Sequence, residues 1–312
     1  MSFVSLGLFV LVATFCAGLN FCDGNAGCAA VRTHAKAKNL TFAFITDVHG
    51  AGKTLEGRYA EPNLEKFVKE CNSGRCDFAA FGGDLFSAYG ATRKEAMEFI
   101  SVAMKHFDRV RIPLLMTKGN HDRNAKISEE ETISNELYHQ LCHERLSEIP
   151  GILFNPDDPK GNYFLADFAS RKVRAIVLNY FDACVMQNAG IHEKQLEWLR
   201  TTALAPFGEE GWTVLLFAHN YERVGDAFWE IVEDFNSAGR GRIAGFIYGD
   251  THEDQYAFEH GINLIGVECG YCSRSQLGTQ EENCFSIFTL DPAAGLLREK
   301  RVGRGADREF RF

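Results

Sequence analysis

A chain of 312 residues with 46% hydrophobic and 24% charged side chains has the composition of a globular protein and the length for one large domain or two small ones. Its 42 acidic against 33 basic residues give a formal charge of -9, which excludes a duplex-wrapping surface and a polybasic membrane patch.

The first twenty residues carry no charged side chain, and an apolar run extends from Phe3 to Phe15. This is the pattern of a secretory signal peptide cut after Gly18, or, since the segment is nearly uninterrupted to Cys22, of a retained anchor. Residues 19–40 are a polar leader, and residues 41–312 form a single domain. The C-terminal RGADREFRF is too charged for the tail of a lipid-anchor signal. A secreted or lumenal location suits the ten cysteines and predicts disulfides. Cys71 with Cys76 and Cys22 with Cys28 are candidate local loops; Cys269 and Cys272 have CxxC spacing without a second such pair, so a bridge to Cys284 or buried free thiols are the readings open there. Asn39-Leu40-Thr41 is a glycosylation sequon ahead of the first strand.

From Thr41 the pattern is strand, helix, strand. Phe42 to Thr46 is followed by a helix near Asn63 to Cys71, a strand Phe78 to Phe81, a helix Thr92 to Phe107 and a strand Ile112 to Thr117. Such alternation implies parallel βαβ units, whose ligands gather at the carboxyl ends of the strands. Ile127 to Glu148 is acidic and helical. Tyr163 to Phe168 and Val173 to Asn179 form a hairpin, so the sheet turns antiparallel there. A helix from His192 to Leu204, a strand Trp212 to Ala218, a helix Asp226 to Asn236 and a strand Ile243 to Tyr248 follow. Short strands at Gln255 to Phe258, Ile262 to Val267, Phe285 to Leu290 and Leu297 to Val302 close a second sheet.

Five of these strands end in groups that bind metals. Asp47 and His49 follow the first, Asp84 the second, Asn120 and His121 the third, His219 a later one and Asp250 and His252 the last. Nitrogen and oxygen donors together suit first-row divalent ions. The order Asp-x-His, Gly-Asp, Gly-Asn-His-Asp, His and Gly-x-x-His resembles the calcineurin-like metallophosphoesterase superfamily, from about Thr41 to Leu290.

That resemblance implies a four-layer α/β/β/α sandwich, an α/β fold with two mixed sheets flanked by helices. It implies two divalent metal ions, with Mn²⁺, Mg²⁺, Fe²⁺ and Zn²⁺ as candidates, one held by Asp47, His49, Asp84 and His252 and the other by Asp84, Asn120, His219 and Asp250. Two cations about 3.5 to 4 Å apart clamp a phosphoryl group and activate water. The implied reaction is hydrolysis of a phosphate mono- or diester by metal-bound hydroxide, on a chain whose own charge is negative and which therefore depends on those cations to meet its substrate. His121 is similar to the family histidine that donates to the leaving or phosphoryl oxygen, and Asp122 is placed to orient it. Arg123, with its planar fork, is a candidate for substrate contact, and Asn220 either contacts substrate or forms the strand-end turn after His219. Asp250 stands where the family usually has histidine, so either a carboxylate replaces imidazole and favours harder ions, or the second site is weakened and the protein is a binding rather than a catalytic one. Ser87 occupies the position where a purple acid phosphatase carries its iron-binding tyrosine, which sets the chain outside that branch.

Overall fold

The computed structural model describes residues 39–50, 59–87, 91–125, 128–182, 190–205 and 211–312. The expected signal segment, the leader to residue 38 and the Cys22–Cys28 pair lie outside the described residues.

The strand β1 (Leu40–Ile45) shows how the layers arise. Successive side chains of a strand point to opposite faces. Phe42 and Phe44 enter one apolar cluster with Phe217, Val177 and Phe288, while Ala43 and Ile45 enter another with Leu64, Phe67 and Ile100. Both faces are therefore buried, as expected of a strand lacking polar alternation. β1 pairs in parallel with β2 (Phe78–Phe81), and β2 with β3 (Leu114–Met116). The linking helices are α1 (Glu61–Cys71) and α2 (Arg93–Phe107). Thr92 caps α2, its side chain accepting from Glu95 N while the Glu95 side chain accepts from Thr92 N, which satisfies two otherwise orphaned donors.

The second sheet holds β4 (Ile152–Phe154), β5 (Phe164–Phe168), β6 (Val173–Val177), β7 (Trp212–Phe217), β8 (Gly241–Tyr248), β9 (Gln255–Glu259) and β10 (Ile262–Gly266), in the order β4-β5-β6-β7-β8-β10-β9. Strands β11 (Cys284–Asp291), β12 (Leu296–Gly303) and β13 (Arg308–Arg311) return to the first sheet, whose order is β13-β12-β11-β1-β2-β3. The inner faces of the sheets meet through Phe42, Phe78, Phe217 and Phe288. The outer face of the second sheet packs on α4 (Glu193–Trp198) and α5 (Asp226–Ser237) through Leu216, Phe246, Trp198 and Phe228. Helix, sheet, sheet and helix make the four-layer sandwich.

Several expectations need correction. The single helix over residues 127–148 is instead a 3₁₀ turn (Glu129–Glu131), α3 (Asn135–Tyr138), a π-type turn (His139–His143) and another 3₁₀ turn (Glu144–Glu148). Ser134 starts α3 by accepting from Leu137 N, which interrupts the continuous helix that the acidic composition suggested. Cys71 and Cys76 are free thiols, as are Cys269, Cys272 and Cys284. Cys71 and Cys76 both face the apolar layer under α1, and burial pushes the Cys76 thiol up to about 11, so these sulfurs pack as small apolar groups. Among the described residues no helix is long and apolar enough to cross a membrane.

Candidate metal centre

All five ligand-bearing strands end on one rim, β1, β2 and β3 from the first sheet and β7 and β8 from the second. Backbone hydrogen bonds join the loops: Asp47 N donates to Gly83 O (2.9 Å), His49 N to Asp84 O (3.1 Å) and Gly249 N to His219 O (3.0 Å). Asp250 N donates across the sheets to Asp47 Oδ2 (3.0 Å). Asp47 (φ 51°), His49 (φ 46°), Asp84 (φ 63°), Asp250 (φ 65°) and His252 (φ 60°) all occupy the left-handed region. Non-glycine residues adopt it at a cost of about 1–3 kcal/mol each, and such strain concentrates at functional sites.

The side chains converge. His49 Nε2 lies 3.5 Å from Asp47 Oδ1, 3.6 Å from Asp84 Oδ2 and 2.9 Å from His252 Nε2. On the other side, His219 Nε2 lies 3.4 Å from Asp84 Oδ2, 3.2 Å from Asp250 Oδ1 and 2.9 Å from Asn120 Oδ1. Asp84 stands between the two groups. Three trios place one ligand atom from each residue within 4.8 Å of the others: Asp47, His49 and His252; His49, Asp84 and His121; Asp47, Asp84 and His219. Every residue expected to ligate is therefore in one place, and His121 joins them, its Nε2 3.8 Å from Asp84 Oδ2.

The surroundings fit a cation. Asp47 Oδ1 is buried with no hydrogen-bond donor, although its partner Oδ2 accepts from Thr46 Oγ1 (2.5 Å) and Asp250 N. A buried carboxylate oxygen without a donor costs free energy unless something positive occupies its lone pairs. His219 Nδ1 donates to Gly82 O (2.7 Å), which places the ring proton there and leaves the Nε2 lone pair facing Asp84, Asp250 and Asn120. Glycine makes the close approach possible: a Cβ on Gly119 would stand 2.0 Å from Asp84 Oδ1, and one on Gly249 2.3 Å from Asp47 Oδ2.

Electrostatics point the same way. Burial opposes ionisation of Asp47, but the nearby His252 and His49 imidazoles, 3.3 and 3.5 Å from Oδ1, outweigh it and hold the carboxyl well below the usual range. Burial likewise opposes charge on His219, yet the Asp84 carboxylate and the contact with Asp250 hold its imidazole well above its ordinary value. The Asp47 carboxylate 3.3 Å away raises His252.

Two residues beside the cluster bond within the protein. The Asp122 carboxylate makes no hydrogen bond to the His121 ring; Oδ2 accepts from Asp84 N (3.0 Å) and Gly119 N (2.8 Å), and Oδ1 from Leu85 N (2.8 Å). It ties the loop after β2 to the loop after β3 and so positions Asp84. Burial and the neighbouring Asp84 push its pKa up to about 6. Asn220 is likewise engaged within the protein: Nδ2 donates to Asp250 Oδ2, and Oδ1 accepts from Tyr221 N (2.5 Å) and Glu222 N (2.8 Å). It aims Asp250 and closes the turn after His219. Arg123 is buried beside the cluster, its guanidinium 5.1 Å from the Phe181 ring centre, and that ring lies 6.1 Å from His219.

The calcineurin-like phosphoesterase family model matches residues 40–265, the span that holds every residue of the cluster. The chain belongs to this family. Among solved structures, this calcineurin-like phosphoesterase is similar to a dimetal phosphatase from Danio rerio, at 17% identity and a TM-score of 0.60 over 87% of this chain and 98% of that one. It is also similar to a purple acid phosphatase from yellow lupin (Lupinus luteus) seeds, at 12% identity and a TM-score of 0.54 over 87% of this chain and 53% of that one. Both likenesses are of fold. No curated protein matches the sequence.

Proposed function

We propose that this phosphoesterase hydrolyses a phosphate mono- or diester outside the cytosol, with two divalent cations held by Asp47, His49, Asp84 and His252 and by Asp84, Asn120, His219 and Asp250. The observation that carries the reading is the buried, donor-less Asp47 Oδ1 among imidazole nitrogens, beside a second group of donors that shares Asp84. When bound, such ions supply positive charge to a phosphoryl group and lower the pKa of coordinated water. Asp250 supports a second ion: its Oδ1 faces the same His219 nitrogen as Asn120 and Asp84, while Asn220 holds its other oxygen. The oxygen donors Asp84, Asn120 and Asp250 favour Mn²⁺ or Mg²⁺ at that position.

The chain's own groups do the remainder. Burial lowers the His121 pKa to about 4, so its imidazole is neutral at pH 7 and offers one N–H to a phosphoryl or leaving oxygen, not a stored proton. Arg123 adds a planar cation at the His219 side. A location outside the cytosol rests on the apolar N-terminal segment, and a secreted protein that begins before residue 19 would refute cleavage after Gly18.

The test is the initial rate on a p-nitrophenyl phosphomonoester and on the matching diester with Mn²⁺ present. One of them is expected to turn over, and His121→Ala is expected to slow it by about a hundredfold or more. Equal rates for His121→Ala and the unaltered protein on both esters would refute the reading.

Metal affinity carries its own pH signature. Imidazolium does not ligate, and His219 and His252 hold their protons above the ordinary histidine value of 6.5. Asp47 and Asp250, lowered by their histidine partners against the effect of burial, are already ionised at neutral pH. Mn²⁺ affinity is therefore expected to fall as pH drops and to keep rising above pH 6.5, with proton release on binding. Calorimetry in buffers of different ionisation enthalpy measures it; a flat affinity between pH 6 and 8 would contradict the assignment.

A further inference from the structure

We propose that Tyr271 is a positioning residue for the first cation, holding the His252 ring through a hydroxyl contact at Nδ1 so that Nε2 faces the site. The inference rests on the metal assignment above and concerns a residue beyond position 265, where the family match ends.

His252 Nε2 points into the cluster, 3.3 Å from Asp47 Oδ1 and 2.9 Å from His49 Nε2. Its other nitrogen, Nδ1, lies 3.2 Å from Tyr271 Oη. A neutral imidazole has one N–H and one lone pair. Ligation through Nε2 requires the proton on Nδ1, where the phenol oxygen accepts it. Hydrogen-bond partners at the far nitrogen of a ligating histidine orient the ring, raise its basicity and change metal affinity by about 10–100-fold when removed. His219 has such a partner in the Gly82 carbonyl. Tyr271 fills the equivalent place for His252.

The loop after β10 is built to bring the phenol there. Gly270 N donates to Thr46 O (2.7 Å), next to Asp47, and Gly270 O accepts from Asn63 Nδ2 (2.7 Å). The Arg304 guanidinium donates to Cys269 O (2.9 Å) and Tyr271 O (2.7 Å). A Cβ on Gly270 would stand 2.9 Å from both Ile45 Cγ1 and Thr46 O, so only glycine lets this loop press against the end of β1. The Tyr271 ring then meets His49 and His252 edge to face, with centroids 5.6 and 5.5 Å away. The ring packs both imidazoles of the first site, and the hydroxyl partners the far nitrogen of one.

Tyr271→Phe keeps the ring and removes the hydroxyl. Mn²⁺ is titrated calorimetrically into the metal-stripped full chain without substrate, so the result does not depend on hydrolysis. The expected outcome is one binding step weakened about 10–100-fold with the other unchanged, and thermal unfolding of the stripped protein unaltered. Unchanged binding at both steps would overturn the proposal. So would equal weakening of both steps with a lowered unfolding temperature, which would mark a packing role. His252→Ala separates the two readings: if it too binds Mn²⁺ as the unaltered protein does, the metal assignment itself has failed and the role of Tyr271 falls with it; if it loses one step while Tyr271→Phe loses none, only the role of Tyr271 is refuted.

Discussion

Replacing Asp84 by Asn is expected to lower kcat/KM on the p-nitrophenyl ester by about a thousandfold while the protein remains folded. Asp84 faces both ligand groups through one oxygen, Oδ2 lying 3.6 Å from His49 Nε2 and 3.4 Å from His219 Nε2. Its Oδ1 accepts from His121 N (2.9 Å), and its own N–H is taken by Asp122. Asn preserves the shape and the backbone anchor but removes a negative charge from a side chain that is 2% exposed. Charge stabilisation by a bound cation is worth several kcal/mol, and a loss of about 4 kcal/mol corresponds to about a thousandfold in rate. Mn²⁺ stoichiometry should fall in the same variant, because the shared ligand serves both sites. A variant that keeps both ions and most of its rate would show that Asp84 does not bridge.

The residues that meet in the cluster were legible because a strand that ends in a side chain of metal-binding type leaves two coincident signals, an apolar run and a polar residue after it. Asp47, His49, Asp84, Asn120, His219, Asp250 and His252 all follow that rule, and they meet on one rim because parallel strands point their carboxyl ends the same way. The supporting groups have no comparable signal. Asp122 and Asn220 sit beside ligands and so drew catalytic and substrate roles, yet their carboxylate and amide face backbone N–H groups and Asp250, which depends on turn geometry that residue type does not reveal. Tyr271 comes from a loop outside the ligand-bearing strands. Its trace in sequence is the Gly270 that precedes it, within a CxxC spacing that drew attention to the sulfurs instead.

The same limit applied to the fold. Strands buried on both faces, β1, β2 and β7, were found within a residue or two at each end. β4 and β13 were not, because a three-residue strand with an exposed Leu153 and a strand reading Arg-Glu-Phe-Arg lack the apolar run that marks a central strand. Both are sheet edges, where short length and charge guard against pairing with other chains. The charged C-terminus is therefore a strand, and its arginine pairs with a carboxylate on β12 that no sequence pattern marks as buried.

That carboxylate, Glu299, carries the largest expected effect on stability. It is 2% exposed, on a strand with neighbours on both sides. Oε1 accepts from Ser286 Oγ (2.5 Å) and Arg301 Nη1 (3.2 Å), and Oε2 from Arg308 Nε (2.5 Å). The Arg301 side chain is itself 1% exposed, so its charge has little access to water. Glu299→Ala would leave it without its best-buried counter-ion, and removing one partner of a buried pair costs about 3–5 kcal/mol. Urea unfolding should show that loss as a lowered midpoint at constant slope. The double variant Glu299→Leu with Arg301→Met is expected to be more stable than Glu299→Ala, since apolar replacement of a whole buried pair removes the desolvation cost along with the attraction. If Glu299→Ala unfolds within about 1 kcal/mol of the unaltered protein, the range found for exposed pairs, then water reaches this network and the pair is not a buried one.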